Sequence, residues 1–450
     1  MSAALSVIPA PLSILDTDLY KLTMQQAVLS QFPDVQASYR FTNRNKATLF
    51  SRQSIERFRT AISDFATLEL TPPELSWLER ACPFLTPTYL SYLSAYRYKP
   101  EQVKVTYEPV TPDNLHGHVE IVVTGPWVET ILWEVPLMAT LSETFFQSVV
   151  TDWNYDNQYA QTQSPNIIIN IPALQHTPRR LKPLSPIPAL PHLTKPPRAS
   201  QLAFSKAQSL SAAGCRFSEF GTRRRRSYQT QDTVCRALVD ATRGTQALSG
   251  TSNVAALQGY EHANSTALRL WENVYTGASA PLISLTDTFS TDAFMKASVI
   301  CPFCSVCHIY FIYYDFVADP ELAYRWAGLR QDSGDPFAFA PRVKAMYESL
   351  GIPYESKAII FSDSLSVEKC IALQKQCNEL GFKKVSYGIG TFFTNDFKAA
   401  STGEKSKALN IVIKLASVDG KPCVKISDDL TKNTGDKDTV KFVKDMHCLV

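Results

Sequence analysis

FSEFGTRRRRSYQTQDTVCRALVDAT, residues 217–242, passes from a short strand pattern into a helix pattern through four consecutive arginines. FSEFGT has the short apolar run of a buried strand, and YQTQDTVCRALVDAT spaces its apolar residues along one helical face. A strand-to-helix corner suits an anion site: backbone N–H groups point at the ligand there, and guanidinium groups fork onto phosphate oxygens. Two plainer readings compete, a solvated charge cluster and a nuclear-import patch. The strand before the arginines and the helix after them favour the anion site over both.

The same rhythm recurs outward from this corner. ALSGTSN, LISLTDTF, GLRQDSGD, KAIIFSDS and VSYGIGT are short strand patterns ending in small, hydroxyl or acidic residues, spaced by helical stretches such as FAFAPRVKAMYESLG and SVEKCIALQKQCNELG. A βαβα order predicts an α/β protein with a parallel sheet or barrel and its chemistry at the strands' carboxyl ends. Upstream, residues 19–30 have helical spacing, VQASYRFTNR alternates as a strand, 51–96 is helical with proline breaks, and HVEIVVTGPWVETILWEVPLMATLSETFF runs from strand into helix. The tail LNIVIKLASVDGKPCVKISDD reads as a hairpin turning at Asp419-Gly420, expected to pack back on the N-terminal part.

The chain has 450 residues, 45% hydrophobic composition and a formal net charge of +3. That is ample for two or three domains, or for one barrel with an added module, and too mildly basic for general nucleic-acid binding. Ten cysteines spread over this length suggest a reducing compartment rather than a disulfide framework. MSAALSVIPAPLSILDTDLYK lacks a basic n-region and is a weak signal-peptide pattern. The expected location is cytoplasmic, with the nucleus as the alternative that the arginine run raises.

Two segments break the rhythm. Residues 164–198 are proline-dense, basic and without acidic side chains; residues 297–314, ASVICPFCSVCHIYFIYY, form an apolar run. CPFCSVCH has the spacing of a zinc or iron–sulfur ligand set, but its aromatic surroundings and the lack of a second cysteine pair favour packing. The run is barely long enough for a membrane span, and its polar and proline residues argue against one. His116, His118, His176, His192, His262 and His447 have no acidic partner close in sequence, so none is nominated. In RQDSGDP, Arg330 can pair with a carboxylate or phosphate while Asp332 and Asp335 face ribose hydroxyls or a metal. An Asp-rich turn is the plainer reading of that motif. Asp363 of FSDS fits the same role or a helix N-cap, and GIGT at Gly388 is a short backbone-amide cradle.

Taken together, DTDLYKLTMQQA at Asp16, ASYRFTNR at Ala37, FSEFGTRRRRSY at Phe217, GTSNV at Gly250, LTDTF at Leu285, GLRQDSGDP at Gly328, IIFSDSL at Ile359 and GIGTFFTND at Gly388 resemble the nicotinate phosphoribosyltransferase family, most closely its fungal form. The resemblance implies an irregular α/β barrel of the type II phosphoribosyltransferase kind, residues 146–404, with an α+β module from residues 1–145 and 405–450. Residues 164–205 and 297–314 read as poorly fitting inserted segments. The implied reaction joins nicotinate to the ribose of phosphoribosyl pyrophosphate, giving nicotinate mononucleotide and pyrophosphate in NAD salvage. ATP is the implied co-substrate, hydrolysed through a transient phosphohistidine. By carry-over, Tyr20 contacts the pyridine ring and Arg330 the nicotinate carboxylate, while Arg223 and Arg225 hold phosphate. Asp332 and Asp363 serve ribose or Mg²⁺, Gly390 and Thr391 bind the 5-phosphate end, and Ser362 and Gly388 complete the substrate-binding set. Relatives complete each site across a dimer while fungal forms act alone, so homodimer and monomer both stay open; neither a membrane nor nucleic acid is implied as a partner.

The chain also departs from that pattern. In the family GTSN is followed by a strand carrying G-T-x-A-H, whose histidine takes the phosphate from ATP. Here GTSNVAALQGYEHAN runs directly into the next helix, so the catalytic residue is unassigned; His262 matches a different position. Two alternatives follow, a catalytically impaired relative that binds phosphoribosyl ligands and a mis-spliced product.

Overall fold

The computed structural model describes residues 13–153, 198–251, 283–287, 290–295, 320–428 and 433–446. Ser252 and Asn253 of GTSN, His262, the segment 297–314 with its CPFCSVCH motif, and all of 164–197 lie outside the described residues.

Helix Leu19–Gln31 leads into β1 (Gln36–Asn43), β2 (Phe50–Ser51), β3 (Val103–Pro109) and β4 (His116–Pro126). Between β2 and β3, three helices begin where their sequences carry start signals. Ser51 caps Arg52–Asp64, Thr71 and Glu74 form a reciprocal capping box before Pro72–Ala81, and Thr86 caps Pro87–Ala95. Each cap supplies an acceptor for a helix N–H that has no partner inside the helix.

The second half holds the parallel strands β5 (Arg216–Glu219), β6 (Leu248–Thr251), β7 (Ile283–Leu285), β8 (Gly328–Gln331), β9 (Ala358–Phe361) and β10 (Lys384–Ile389), in spatial order β6-β5-β10-β9-β8-β7. Each coincides with one of the strand patterns read from the sequence. Helix Pro336–Ser349 starts at Asp335, whose carboxylate accepts the Phe337 N–H, so Asp335 is a cap here. Helix Val367–Leu380 starts at Ser366 and ends on left-handed Gly381, φ 91°.

The chain then forms β11 (Phe397–Lys398) and β12 (Lys405–Ser406), followed by β13 (Ile411–Val418) and β14 (Lys421–Pro422). The hairpin turns through Asp419, φ 46°, and Gly420, φ 74°, both left-handed as a tight two-residue turn requires. β13 pairs antiparallel with β1, so both ends of the chain share one six-stranded sheet, order β14-β13-β1-β4-β2 with β3 on β4.

Helix Glu134–Ser148 is buried continuously from Glu134 to Phe146. Such all-round burial marks a central helix rather than a surface one, and it packs against β13, helix Arg52–Asp64 and the arginine corner. The fold is a mixed α/β one, and the parallel sheet is open rather than closed into a barrel among the described residues. Its two edge strands, β6 and β7, are consecutive among the described strands. Residues 198–205, the end of one expected insert, form the first half of helix Arg198–Ala212, which carries buried Ala203 and Ala207.

Candidate functional site

The arginine corner sits at the carboxyl end of β5 as a single 3₁₀ turn, Thr222–Arg224, followed by extended Arg225 and helix Tyr228–Ala241. It faces the start of helix Leu19–Gln31. Arg223 donates from Nη2 to Tyr20 Oη at 2.7 Å, from Nε to Asp18 at 3.1 Å and from Nη1 to Glu134 at 3.1 Å. Glu134 also receives Lys21 Nζ at 2.5 Å, with both side chains nearly inaccessible. Burial alone would raise the Glu134 carboxyl, but Lys21 and Arg223 overcome it and hold the group at about 2. This cluster joins helix starts from one half of the chain to a loop of the other, so removing one charge leaves a buried countercharge.

Arg224 is different. Among the described residues its guanidinium has no hydrogen-bonded partner, although it is largely shielded. Burial, then Arg223 and Arg44, lower it to about 10, against attraction from Asp332 and Asp363. Lys414, on β13, is in the same condition: burial, with Lys425 and Arg223 nearby, lowers it to about 8, opposed by Glu134 and Asp332. Two cations without an acceptor among the described residues, both near Arg223 and Asp332, make a positive region that an anion would neutralise.

Opposite, Arg330 reaches from the end of β8. Its Nε donates to Ser362 Oγ at 2.8 Å and its Nη2 to Asp332 Oδ1 at 2.9 Å, and Ser362 also donates to Asp332 at 2.9 Å. The guanidinium lies 5.4 Å from the Phe220 ring centroid, within cation–π range. Asp332 meets a second cation, Lys425 Nζ, at 3.8 Å, and Lys425 bonds Asp287 at 3.0 Å. Burial would raise Asp332, but Arg330 and Lys425 hold it well below the usual carboxylate range. Asp363 accepts from Ser364 and acts electrostatically on Arg224.

The expectation that Asp332 and Asp363 hold Mg²⁺ does not fit this donor set. Asp332 already faces two protein cations, and no cluster of three or more acidic, cysteine or histidine residues that could hold a metal occurs among the described residues. Arg225, expected on phosphate, has its fork filled: Nη1 and Nη2 bind Asp16 at 2.7 and 2.6 Å, and Nη1 also binds Gln231 at 2.9 Å. Gln231 continues to Glu219, which accepts from Thr251 at 2.6 Å and from the Gly221 N–H. Arg225 therefore braces the corner from beneath. Gly388 is buried in β10, and a methyl there would run into the Phe220 ring. That close packing seats the ring beside Arg330. Gly390 and Thr391 begin a four-residue helix beside the corner, where Thr394 Oγ1 donates to Gly221 O at 3.0 Å.

Sequence reasoning thus selected Tyr20, Arg223, Arg330, Asp332, Ser362 and Asp363, which the fold brings to one region. It missed Asp16, Asp18, Lys21, Glu134, Arg224, Lys414 and Lys425. Glu134 in LWEVPLM and Lys414 in NIVIKLAS were the findable ones, each a charge interrupting an apolar run, which demands a buried partner.

Comparison with known proteins gives the family. Residues 15–142 match the nicotinate phosphoribosyltransferase N-terminal domain model, and residues 215–449 match the nicotinate phosphoribosyltransferase family model. The chain is 37% identical to the nicotinate phosphoribosyltransferase of Methanosarcina mazei, with 95% of this chain and 96% of the relative covered. It is 34% identical to that of Saccharomyces cerevisiae, covering 97% and 95%. A crystal structure described as a nicotinate phosphoribosyltransferase from S. cerevisiae superimposes with a TM-score of 0.81 at 33% identity, covering 99% and 100% of the two chains. One from Porphyromonas gingivalis gives 0.74 at 29%, covering 97% and 99%.

Proposed function

Because this chain belongs to the nicotinate phosphoribosyltransferase family, we propose that its site joins nicotinate to phosphoribosyl pyrophosphate between Tyr20 and Arg330 on one side and Arg224 and Lys414 on the other. The product is nicotinate mononucleotide, with pyrophosphate released. The observation that carries this reading is the pair of shielded cations, Arg224 and Lys414, that have no acceptor among the described residues and lie near Asp332 at the parallel strands' carboxyl ends.

The chemistry asks for what these residues offer. The pyridine nitrogen uses its own lone pair to attack the ribose C1, so no base is needed. The C1–O bond to pyrophosphate breaks and its electrons leave with the pyrophosphate. Positive charge develops on the sugar and negative charge on the leaving group, and fixed guanidinium and ammonium groups stabilise the latter without reorganising. Arg330 offers donors only and suits the nicotinate carboxylate. Asp332, held ionised, orients Arg330 and is available to a ribose hydroxyl. Gly390 and Thr391 stand where the last parallel strand ends, a suitable place for the 5-phosphate.

ATP is the family's co-substrate. GTSNVAALQGYEHAN lacks a G-T-x-A-H sequence, so transfer in this chain is proposed to run without ATP coupling. The reading is tested by incubating the full chain with nicotinate and phosphoribosyl pyrophosphate and following nicotinate mononucleotide chromatographically. Product formation supports it; no product over a buffer blank contradicts it.

A further inference from the structure

We propose that Glu134, acting through Arg223, fixes the Tyr20 phenol as a proton donor and so selects a pyridine carboxylate over a pyridine carboxamide. The inference rests on the reading above, in which Tyr20 and Arg330 face the pyridine substrate.

A guanidinium can only donate, so in the 2.7 Å contact with Arg223 Nη2 the Tyr20 oxygen is the acceptor. The phenol hydrogen is then left over, and no acceptor among the described residues takes it. Burial keeps that phenol protonated, moving it well above its ordinary range against the pull of Arg223. Tyr20 therefore presents an O–H. Arg330, bonded to Ser362 and Asp332, presents further N–H groups. A carboxylate accepts from both sides. A carboxamide turns an NH₂ toward one of them, and a site that leaves polar groups unpaired rejects the analogue.

The polarity depends on Arg223 staying in place. Its side chain is 31% exposed, while Asp18 and Glu134 are 4% and 8% exposed. Two buried carboxylates thus hold a cation that stands near Arg224 and Lys414 and would otherwise turn toward an incoming phosphate. Lys21 balances the second oxygen of Glu134 at 2.5 Å, so Glu134 stays ionised and directed. Glu134 touches no substrate in this account. It is a positioning residue, and Tyr20 is the group through which it acts.

The test is calorimetric titration of the full chain with nicotinate and, separately, nicotinamide, for the unaltered protein, Tyr20→Phe and Glu134→Gln. A merely structural role would weaken both ligands alike, so the ratio of the two dissociation constants is the readout. Losing one hydrogen bond to a charged group corresponds to a fall of roughly tenfold to a hundredfold in that ratio. Both variants are expected to show such a fall, with Tyr20→Phe keeping the melting temperature of the unaltered protein. An unchanged ratio in Tyr20→Phe overturns the proposal, as does a ratio lost in Tyr20→Phe but kept in Glu134→Gln. If Glu134→Gln does not fold, Glu134→Asp takes its place, read in the same way. Failure of the unaltered chain to bind either ligand would instead refute the underlying substrate reading, and this proposal with it.

Discussion

Adjacent arginines here do opposite jobs, and mutation should separate them. Arg225 is 3% exposed and bonded through two nitrogens to Asp16, so Arg225→Ala strands a buried carboxylate and is expected to cost about 3–5 kcal/mol in stability. Among the described residues Arg224 has no such partner. Arg224→Ala is expected to leave the melting temperature nearly unchanged while raising KM for phosphoribosyl pyrophosphate at least about tenfold, the effect of one charge-assisted hydrogen bond. Differential scanning calorimetry and initial-rate kinetics on the two variants decide it. Glu143 gives a pH test at the same scale. Burial raises its carboxyl to about 7, against the lowering influence of Arg225 and the Tyr228 N–H. A folded pKa above the unfolded one means that stability falls as pH rises from about 4.5 to about 7 and stays lower beyond. Glu143→Gln keeps an acceptor without the charge. It is expected to stabilise the protein at pH 8 by on the order of 1–3 kcal/mol and to give no gain at pH 4; urea unfolding at both values checks this.

At the scale of elements, strands and their carboxyl-end loops were legible because each joins a short apolar run to small or acidic residues. FSEFGT, GLRQDSGD and KAIIFSDS became β5, β8 and β9 with Arg223, Arg330, Asp332 and Asp363 at or just beyond their ends. What could not be read was which charges would be consumed internally. Arg223 and Arg225 differ by two positions in a run of identical residues, and only the approach of Asp16 and Asp18 from 205 or more residues earlier distinguishes them. Gly388 illustrates the same limit: as sequence it belongs to a glycine cradle, yet in three dimensions it makes room for Phe220. Gly388→Ala is expected to destabilise the protein by about 1–3 kcal/mol through overpacking. It should also weaken nicotinate binding, since Phe220 supports Arg330; nicotinate titration and thermal melting together test both effects.

For the whole molecule, the pairing of β13 with β1 is decisive. It brings Lys414 and the Lys425 segment from the C-terminal end back to the loops of the parallel sheet, where Lys425 meets Asp287 and Asp332. The hairpin turn at Asp419-Gly420 announced the return, but not that two lysines would ride on it into the site. With no G-T-x-A-H sequence after GTSN, nicotinate is expected to leave any ATP hydrolysis by the full chain unchanged; a nicotinate-stimulated phosphate release in a coupled assay would show that another group takes the phosphate.

Cations from both halves of the chain are proposed to converge on a pyrophosphorylated sugar. Calorimetric titration of phosphoribosyl pyrophosphate into the unaltered protein and into Arg224→Ala and Lys414→Ala measures that convergence. Saturable binding to the unaltered chain, weakened roughly tenfold or more in each variant, is the predicted result. Equal binding by all three proteins, or no binding by the unaltered one, would contradict it.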